Sequence, residues 1–219
     1  MELNFSAILP SLPFILEGVW VTLQIVFFAI LIGLGLGVIL ALLKISRIKP
    51  LEALATIYIS IFRGTPVVLQ LVLIFFGLPQ LFGIDTGETL AAILALGLNS
   101  AAYISEIIRA GILAVDKGQT EASMALGVPY PNMMKKIILP QAFKNVLPAI
   151  INEFTALTKE SAVVTVIGTA DIMRRSMMVS AQNFRYFETL LIAGAIYYVL
   201  VTGISLIGKV VEGRLAVSD

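Results

Sequence analysis

Three observations predict an all-α integral membrane protein. Of 219 residues, 58% are hydrophobic and 13% charged, where ordinary soluble domains carry about a quarter charged; the mean hydropathy is +0.98. Several uncharged runs approach or exceed the roughly twenty apolar residues that a helix needs to cross a hydrocarbon core about 30 Å thick. Polar segments separate those runs so that about five transmembrane helices and short loops fill one domain, residues 1–219, with no room for a second.

Taken in order, the first run, Gly18 to Leu43, is preceded by Glu2 and Glu17 and by no basic residue. It lacks the basic region of a signal peptide and reads as a retained span. Gly33, Gly35 and Gly37 contain a small-xxx-small pair that lets a neighbouring helix approach closely. Lys44-Ile-Ser-Arg-Ile-Lys-Pro50 ends the helix, since basic residues suit a helix C-terminus and proline blocks continuation. The second run is Gly64 to Ile84. Arg63-Gly-Thr-Pro66 at its start is either exposed backbone lining a pathway or a plain proline boundary. Asp85 to Glu88 form a short turn before the third run, Thr89 to Ser105. A polar insert from Arg109 to Lys144 follows, broken by Pro129 and Pro131. The fourth run, Val146 to Ile172, is long enough to span but carries charges, and the fifth is Thr189 to Gly208.

Loop charge sets orientation, Lys and Arg favouring the cytoplasm. An outside N-terminus and a cytoplasmic C-terminus place Lys44, Arg47, Lys49, Arg63, Arg109, Lys117, Lys135, Lys136, Lys144, Lys209 and Arg214 inside. Arg174, Arg175 and Arg185 fall outside and disagree with this arrangement. They belong either to an interfacial segment or to a face that meets an extracytoplasmic partner.

Composition also excludes functions. With no Cys there is no disulfide framework and no thiolate chemistry. The absence of His removes the commonest metal ligand and the usual general base, so no metal site and no catalytic residue is expected. A net charge of +1 makes no case for nucleic acid. No phosphate-binding G-x-x-x-x-G-K-[ST] loop occurs, so the chain has no such route to ATP hydrolysis and the energy source is another polypeptide. No internal repeat of the kind many secondary transporters carry is visible. A pathway is then more simply built by pairing with a second copy.

Ionisable residues inside a span are costly and mark functional candidates. Glu153 and Glu160 share one face of the fourth stretch within about 20°, with Asn152 beside the first. Asp171 joins that face if the helix runs unbroken past Gly168; if Gly168 interrupts it, Asp171 lies nearer the outer rim. Three carboxylates against Lys159 make a stretch that attracts a cationic group, an α-ammonium or a basic side chain. The alternative is that these charges pair internally or face a partner copy and set packing. Asn99 and Tyr103, four apart, supply amide and phenol hydrogen bonds either to a polar ligand or to a neighbouring helix. Glu106 and Arg109 read as an internal pair. In the polar insert, Glu121-Ala-Ser-Met-Ala-Leu-Gly127 is a short helix ended by a glycine able to take positive φ. It suits insertion into a partner's groove, or else a plain connector at the membrane surface.

That last segment carries a resemblance. Glu121, Ala122 and Gly127, followed by Ile137, Leu139 and Pro140, match at the right spacings the E-A-A coupling loop of ABC importer permeases, with Ser123 in place of the second alanine. Phe62-Arg63-Gly64-Thr65-Pro66, Asn99 to Arg109, Lys117-Gly118-Gln119, Pro140-Gln141-Ala142, Asn152-Glu153-Phe154 and Lys159-Glu160-Ser161 resemble the polar amino acid branch, so the likeness runs from about Thr22 to Arg214. It implies a multi-pass permease of a prokaryotic inner membrane with its coupling loop at about 117–140. The ATPase-contacting residues would be Glu121, Ala122, Gly127, Leu139 and Pro140. The implied partners are two ATPase subunits, which bind the ATP and magnesium that this chain does not, an extracytoplasmic amino-acid-binding protein and a second permease chain, an identical one favoured. The acidic fourth stretch favours arginine, lysine or histidine as cargo, with glutamine next. The competing reading is a carrier or channel driven by an ion gradient through the intramembrane carboxylates; it leaves the Glu121 segment unexplained.

Overall fold

The computed structural model of the chain describes residues 3–46 and 48–216, the last two by backbone alone. Glu2 and Arg47, used in the orientation argument, lie outside the described residues. Two 3-10 turns, Phe5–Ala7 and Leu9–Ser11, lead into α1 (Leu12–Ile45) and then α2 (Lys49–Gly64). α3 (Val67–Val72) continues through a π-helical turn, Leu73–Gly77, into α4 (Leu78–Phe82). There follow α5 (Gly87–Leu113), α6 (Lys117–Ala125) and α7 (Tyr130–Met133). A second π-helical turn, Met134–Ile138, leads into α8 (Leu139–Glu160), then a 3-10 turn, Ser161–Ile167, α9 (Ile172–Asn183) and α10 (Tyr186–Ala216).

The centre of the bundle is the pair α1–α5, and the expected small-residue face is what joins them. A Cβ on Gly33 would stand 3.1 Å from Ser100 Oγ, and one on Gly37 would stand 2.8 Å from Ile104 Cγ2. Gly35, on the other face, has nothing within 4 Å. Across the same seam, Gly97 meets Ile32. Because Ile32, Gly33 and Gly37 meet Gly97, Ser100 and Ile104 in ascending order, α1 and α5 run parallel. Ser100 and Gly111 face Glu153 and Asn145, so α8 runs antiparallel to α5. α10 follows α1: Leu12 and Leu16 lie with Ile192 and Ile196, while Ile30 lies with Ile204 and Ile207. α6 therefore sits at the end of the bundle where α1, α5 and α10 finish, and α9 at the opposite end. Ile25, Val26, Ala29, Leu71, Ala95, Leu96 and Leu157 are buried at the centre.

Among the described residues, three helical stretches are long and apolar enough to cross a membrane: Phe5–Ile45, Gly87–Leu113 and Tyr186–Arg214. A fourth crossing is broken, because α2 and the Val67–Phe82 helix meet at 104°. The second span thus begins a helix earlier than the sequence suggests. The region after Lys44 is not an extended basic loop, and Arg63 sits in the last turn of α2, at its far end from Lys49. The fourth hydrophobic stretch is also divided. α8 starts at Leu139 and stops at Glu160; Gly168, at φ +94, then turns the chain after the 3-10 turn, a conformation open to glycine because it has no Cβ. Asp171 therefore does not continue the Glu153 face: the unbroken helix on which that placement depended is absent.

Candidate functional site

Three groups of residues carry the features the sequence singles out: the α6 end, a polar centre on α5 and α8, and the opposite rim.

At the α6 end, Asp116 caps the helix by accepting from Gly118 N at 2.7 Å, satisfying an N–H that the first turn leaves free. Gly127, at φ +69, closes it. Val128 N donates to Ser123 O and Gly127 N to Met124 O, each at 3.0 Å, the paired bonds of a Schellman stop. Ser123 is the buried residue of α6, and its hydroxyl donates to Gln119 O at 2.6 Å. A small side chain is what that inner face admits, so serine serves where the resemblance has alanine. Glu121 and Ala122 are exposed, as are Met124, Leu126 and Tyr130. Leu139 opens α8, and Pro140 occupies a first-turn position where no N–H is needed. Gln141 Nε2 donates to Ile137 O at 2.9 Å and reaches Gln119 Oε1 at 3.5 Å. Nearby, Glu106 holds Lys44 at 2.9 Å and Arg109 at 2.8 Å. The expected internal pair is thus a three-residue tie between α1 and α5.

In the centre, Glu153 is half-buried and accepts from Ser100 Oγ at 2.8 Å. Ser100 is fully buried against Gly33, so three helices meet at this carboxylate. Glu160, two turns on, is exposed beside exposed Lys159. Asn152 is exposed as well. Asn99, by contrast, is 5% exposed and faces the α2–α3 corner. Its amide donates to Phe62 O at 3.1 Å and Gln70 Oε1 at 3.0 Å. Gln70 Nε2 in turn donates to Phe62 O at 2.9 Å and Thr65 O at 3.1 Å. The carbonyls freed by the proline break are therefore capped by two buried amides rather than presented to a pathway. Tyr58 OH donates to Leu98 O at 2.8 Å, pinning α2 to α5 a second time. Tyr103 is 38% exposed and carries the Arg63 guanidinium 5.2 Å from its ring centroid.

At the opposite rim, Asp171 is fully buried and caps α9, accepting from Arg174 N at 2.8 Å and from Tyr197 OH at 3.1 Å. Arg175 pairs with Glu17 at 2.6 Å, donates to Phe14 O and Ala170 O, and lies over the Phe14 ring. Arg185 pairs with Glu188 at 2.9 Å. Two of the three arginines that oppose the charge rule are thus neutralised where they stand.

Ser100 and Gln70 were missed by the sequence reading. Ser100 hides inside the Asn99 to Tyr103 segment, where the larger polar groups draw attention. Gln70 had a signal: it is an amide inside an otherwise apolar run, and a polar group there needs a partner.

A bundle of apolar, membrane-length helices with an exposed short helix at one end and a half-buried carboxylate at its centre has the make-up of a membrane permease. Residues 33–217 match the family described as binding-protein-dependent transport system inner membrane component, and the chain belongs to that family. It is 58% identical, over the whole of both chains, to the arginine transport system permease protein ArtQ of Bacillus subtilis. It is 45% identical over 209 residues, 95% of this chain and 96% of the relative, to a candidate glutamine transport system permease protein, GlnP, of Rickettsia felis. Its fold superposes on a crystal structure of an amino acid ABC transporter with histidines at a TM-score of 0.92 and 43% identity, covering 98% of this chain and all of that one. The chain is an amino acid ABC importer permease subunit of the inner membrane.

Proposed function

We propose that this subunit carries basic amino acids, arginine foremost, and that Glu153 is the intramembrane group that receives their cationic end. The observation that carries the reading is the Glu153 carboxylate, fixed by Ser100 at the meeting of α1, α5 and α8, with Glu160 two turns along the same helix. A fixed carboxylate in a low-dielectric surround attracts a cation far more strongly than the same group in water. The 58% identity to an arginine permease supports the same cargo. Asn152 and Glu160 line the approach from the exposed side of α8; Asn99 and Asp171 serve the helix corner and the α9 cap rather than the ligand. The N-terminus lies outside and α6 in the cytoplasm, where two ATPase subunits dock on Glu121, Ala122 and Leu126. A second, identical chain closes the path along the exposed Asn152–Lys159–Glu160 face of α8, since charges there are costly against lipid.

The test is calorimetric titration of arginine, lysine, histidine and glutamine into the purified permease–ATPase complex, beside a Glu153→Gln complex. Binding of arginine that disappears in the variant is expected. Titration curves that are flat for every ligand in the unmutated complex would move selectivity to the external binding protein and overturn the assignment.

A further inference from the structure

An amino acid is a zwitterion, so a site built only of carboxylates accounts for half of it. Arg63 is the residue whose placement supplies the other half. It lies fourteen positions beyond Lys49, about 21 Å along the α2 axis at 1.5 Å per residue. There it reaches the Tyr103 ring on α5, 5.2 Å from its guanidinium, ten positions before the α5 end at Leu113. Among the described residues no carboxylate forms an ion pair with Arg63, whereas Arg109, Arg175 and Arg185 each have one. An arginine at a bend between two apolar helices and without an acidic partner is an expensive residue to keep in a membrane.

Its position relative to Glu153 follows from the α5 helix. At about 100° per residue, Asn99 points to the α2–α3 corner and Ser100, about 100° round, points to Glu153. Tyr103 lies about 40° from the Asn99 direction, between the two and one turn along. Asn99 and Ser100 are buried while Tyr103 is 38% exposed, so Tyr103 lies on the open strip of α5, a crevice between the α2–α3 corner and α8. One wall carries Arg63, held by the corner that Gln70 and Asn99 cap. The other carries Glu153. Lys159, the cation that follows on α8, lies six positions beyond Glu153 on the side away from Tyr103 and neighbours Glu160 in sequence.

We infer that Arg63, seated on the Tyr103 ring, receives the α-carboxylate of the transported amino acid, across the crevice from the Glu153 carboxylate that takes the cationic end. A planar guanidinium offers two parallel N–H donors that match a carboxylate. The ring beneath it fixes its orientation without neutralising it. The inference rests on the proposed Glu153 site and adds the group that makes it read an amino acid rather than any cation.

The test is to titrate arginine and argininamide, which keeps both cationic groups but has no carboxylate, into the purified permease–ATPase complex. Unmutated complex should favour arginine by about 30-fold, the scale of losing a desolvated charged hydrogen-bond pair. Arg63→Gln should bring arginine down to the affinity of argininamide and leave argininamide where it was. Arg63→Lys, which keeps the charge but not the fork, should restore part of the preference and shows that the site still folds. Glu153→Gln should weaken both ligands together. If arginine and argininamide bind the unmutated complex equally, or if Lys159→Gln rather than Arg63→Gln abolishes the preference, Arg63 is not the carboxylate group and the Glu153 site survives. If neither ligand binds the unmutated complex, the Glu153 site and the inference fall together.

Discussion

Ser100 shows how much one hydroxyl can organise. It is buried against a glycine of α1 and donates to a carboxylate of α8, so its replacement should be felt at the ligand more than in the fold. Ser100→Ala is expected to weaken arginine binding by about tenfold, the scale of a hydrogen bond to a charged group. The melting temperature should fall little, which a thermal melt of the same preparation checks. Glycines at close contacts behave in the opposite way. A Cβ on Gly18 would stand 2.6 Å from the backbone nitrogen of Ile172, an atom that cannot rotate aside. Gly18→Ala should therefore cost about 1–3 kcal/mol as an overpacked contact. Gly35→Ala, which meets open space, should be neutral or stabilising by up to about 1 kcal/mol through helix propensity; paired melts decide this. At this scale much was legible. Glu153 is exceptional in an apolar sequence, and Gly33 and Gly37 announce their contact by spacing. Asn99 was not legible, because an amide on a helix face looks the same whether it serves a ligand or a neighbouring backbone.

Among the elements, α6 is the one whose sequence and structure agree most fully. Its cap, its Schellman stop and its exposed apolar residues are local, set by neighbours within a few positions. Gly127→Ala places a side chain at φ +69, a cost of about 1 kcal/mol that falls on the stop alone. Arginine-stimulated ATP hydrolysis of the assembled importer should drop severalfold in that variant, while the melting temperature of the permease changes little. Equal ATPase stimulation in both complexes would remove α6 from the coupling path. The α2–α3 corner and the division of the fourth stretch were harder to read. Hydropathy records that a segment is apolar, and a bend of 104° between two apolar helices leaves that record unchanged. What decides the bend is the capping of carbonyls by Gln70 and Asn99, one of them 37 positions from the carbonyl it caps. No local pattern contains that information. The 3-10 turn from Ser161 to Ile167 is similar: its residues are uncharged and mostly β-branched, equally suited to prolonging a span.

For the whole molecule, the direction of α1, α5 and α10 places the N-terminus and α6 at opposite ends. Because the chain has no cysteine, single substitutions report this without a background. A membrane-impermeant maleimide added to intact cells should label Gln182→Cys on α9 and spare Lys117→Cys on α6. The reverse pattern would invert the orientation. The rim arginines explain why charge counting alone was less decisive: Arg175 and Arg185 carry their own carboxylates, and a paired charge exerts little of the pull that orients a loop.

α5 holds Ser100 against the carboxylate, Asn99 against the corner, Tyr103 beneath Arg63 and Glu106 against Lys44, and it ends three residues before the cap of α6. Should α5 move as one rod, ligand occupancy and ATPase docking become two readings of one equilibrium. By linkage, whatever factor docking applies to the affinity for cargo, cargo applies to docking. An importer built on this rod releases its cargo more easily only by loosening its hold on the engine to the same degree.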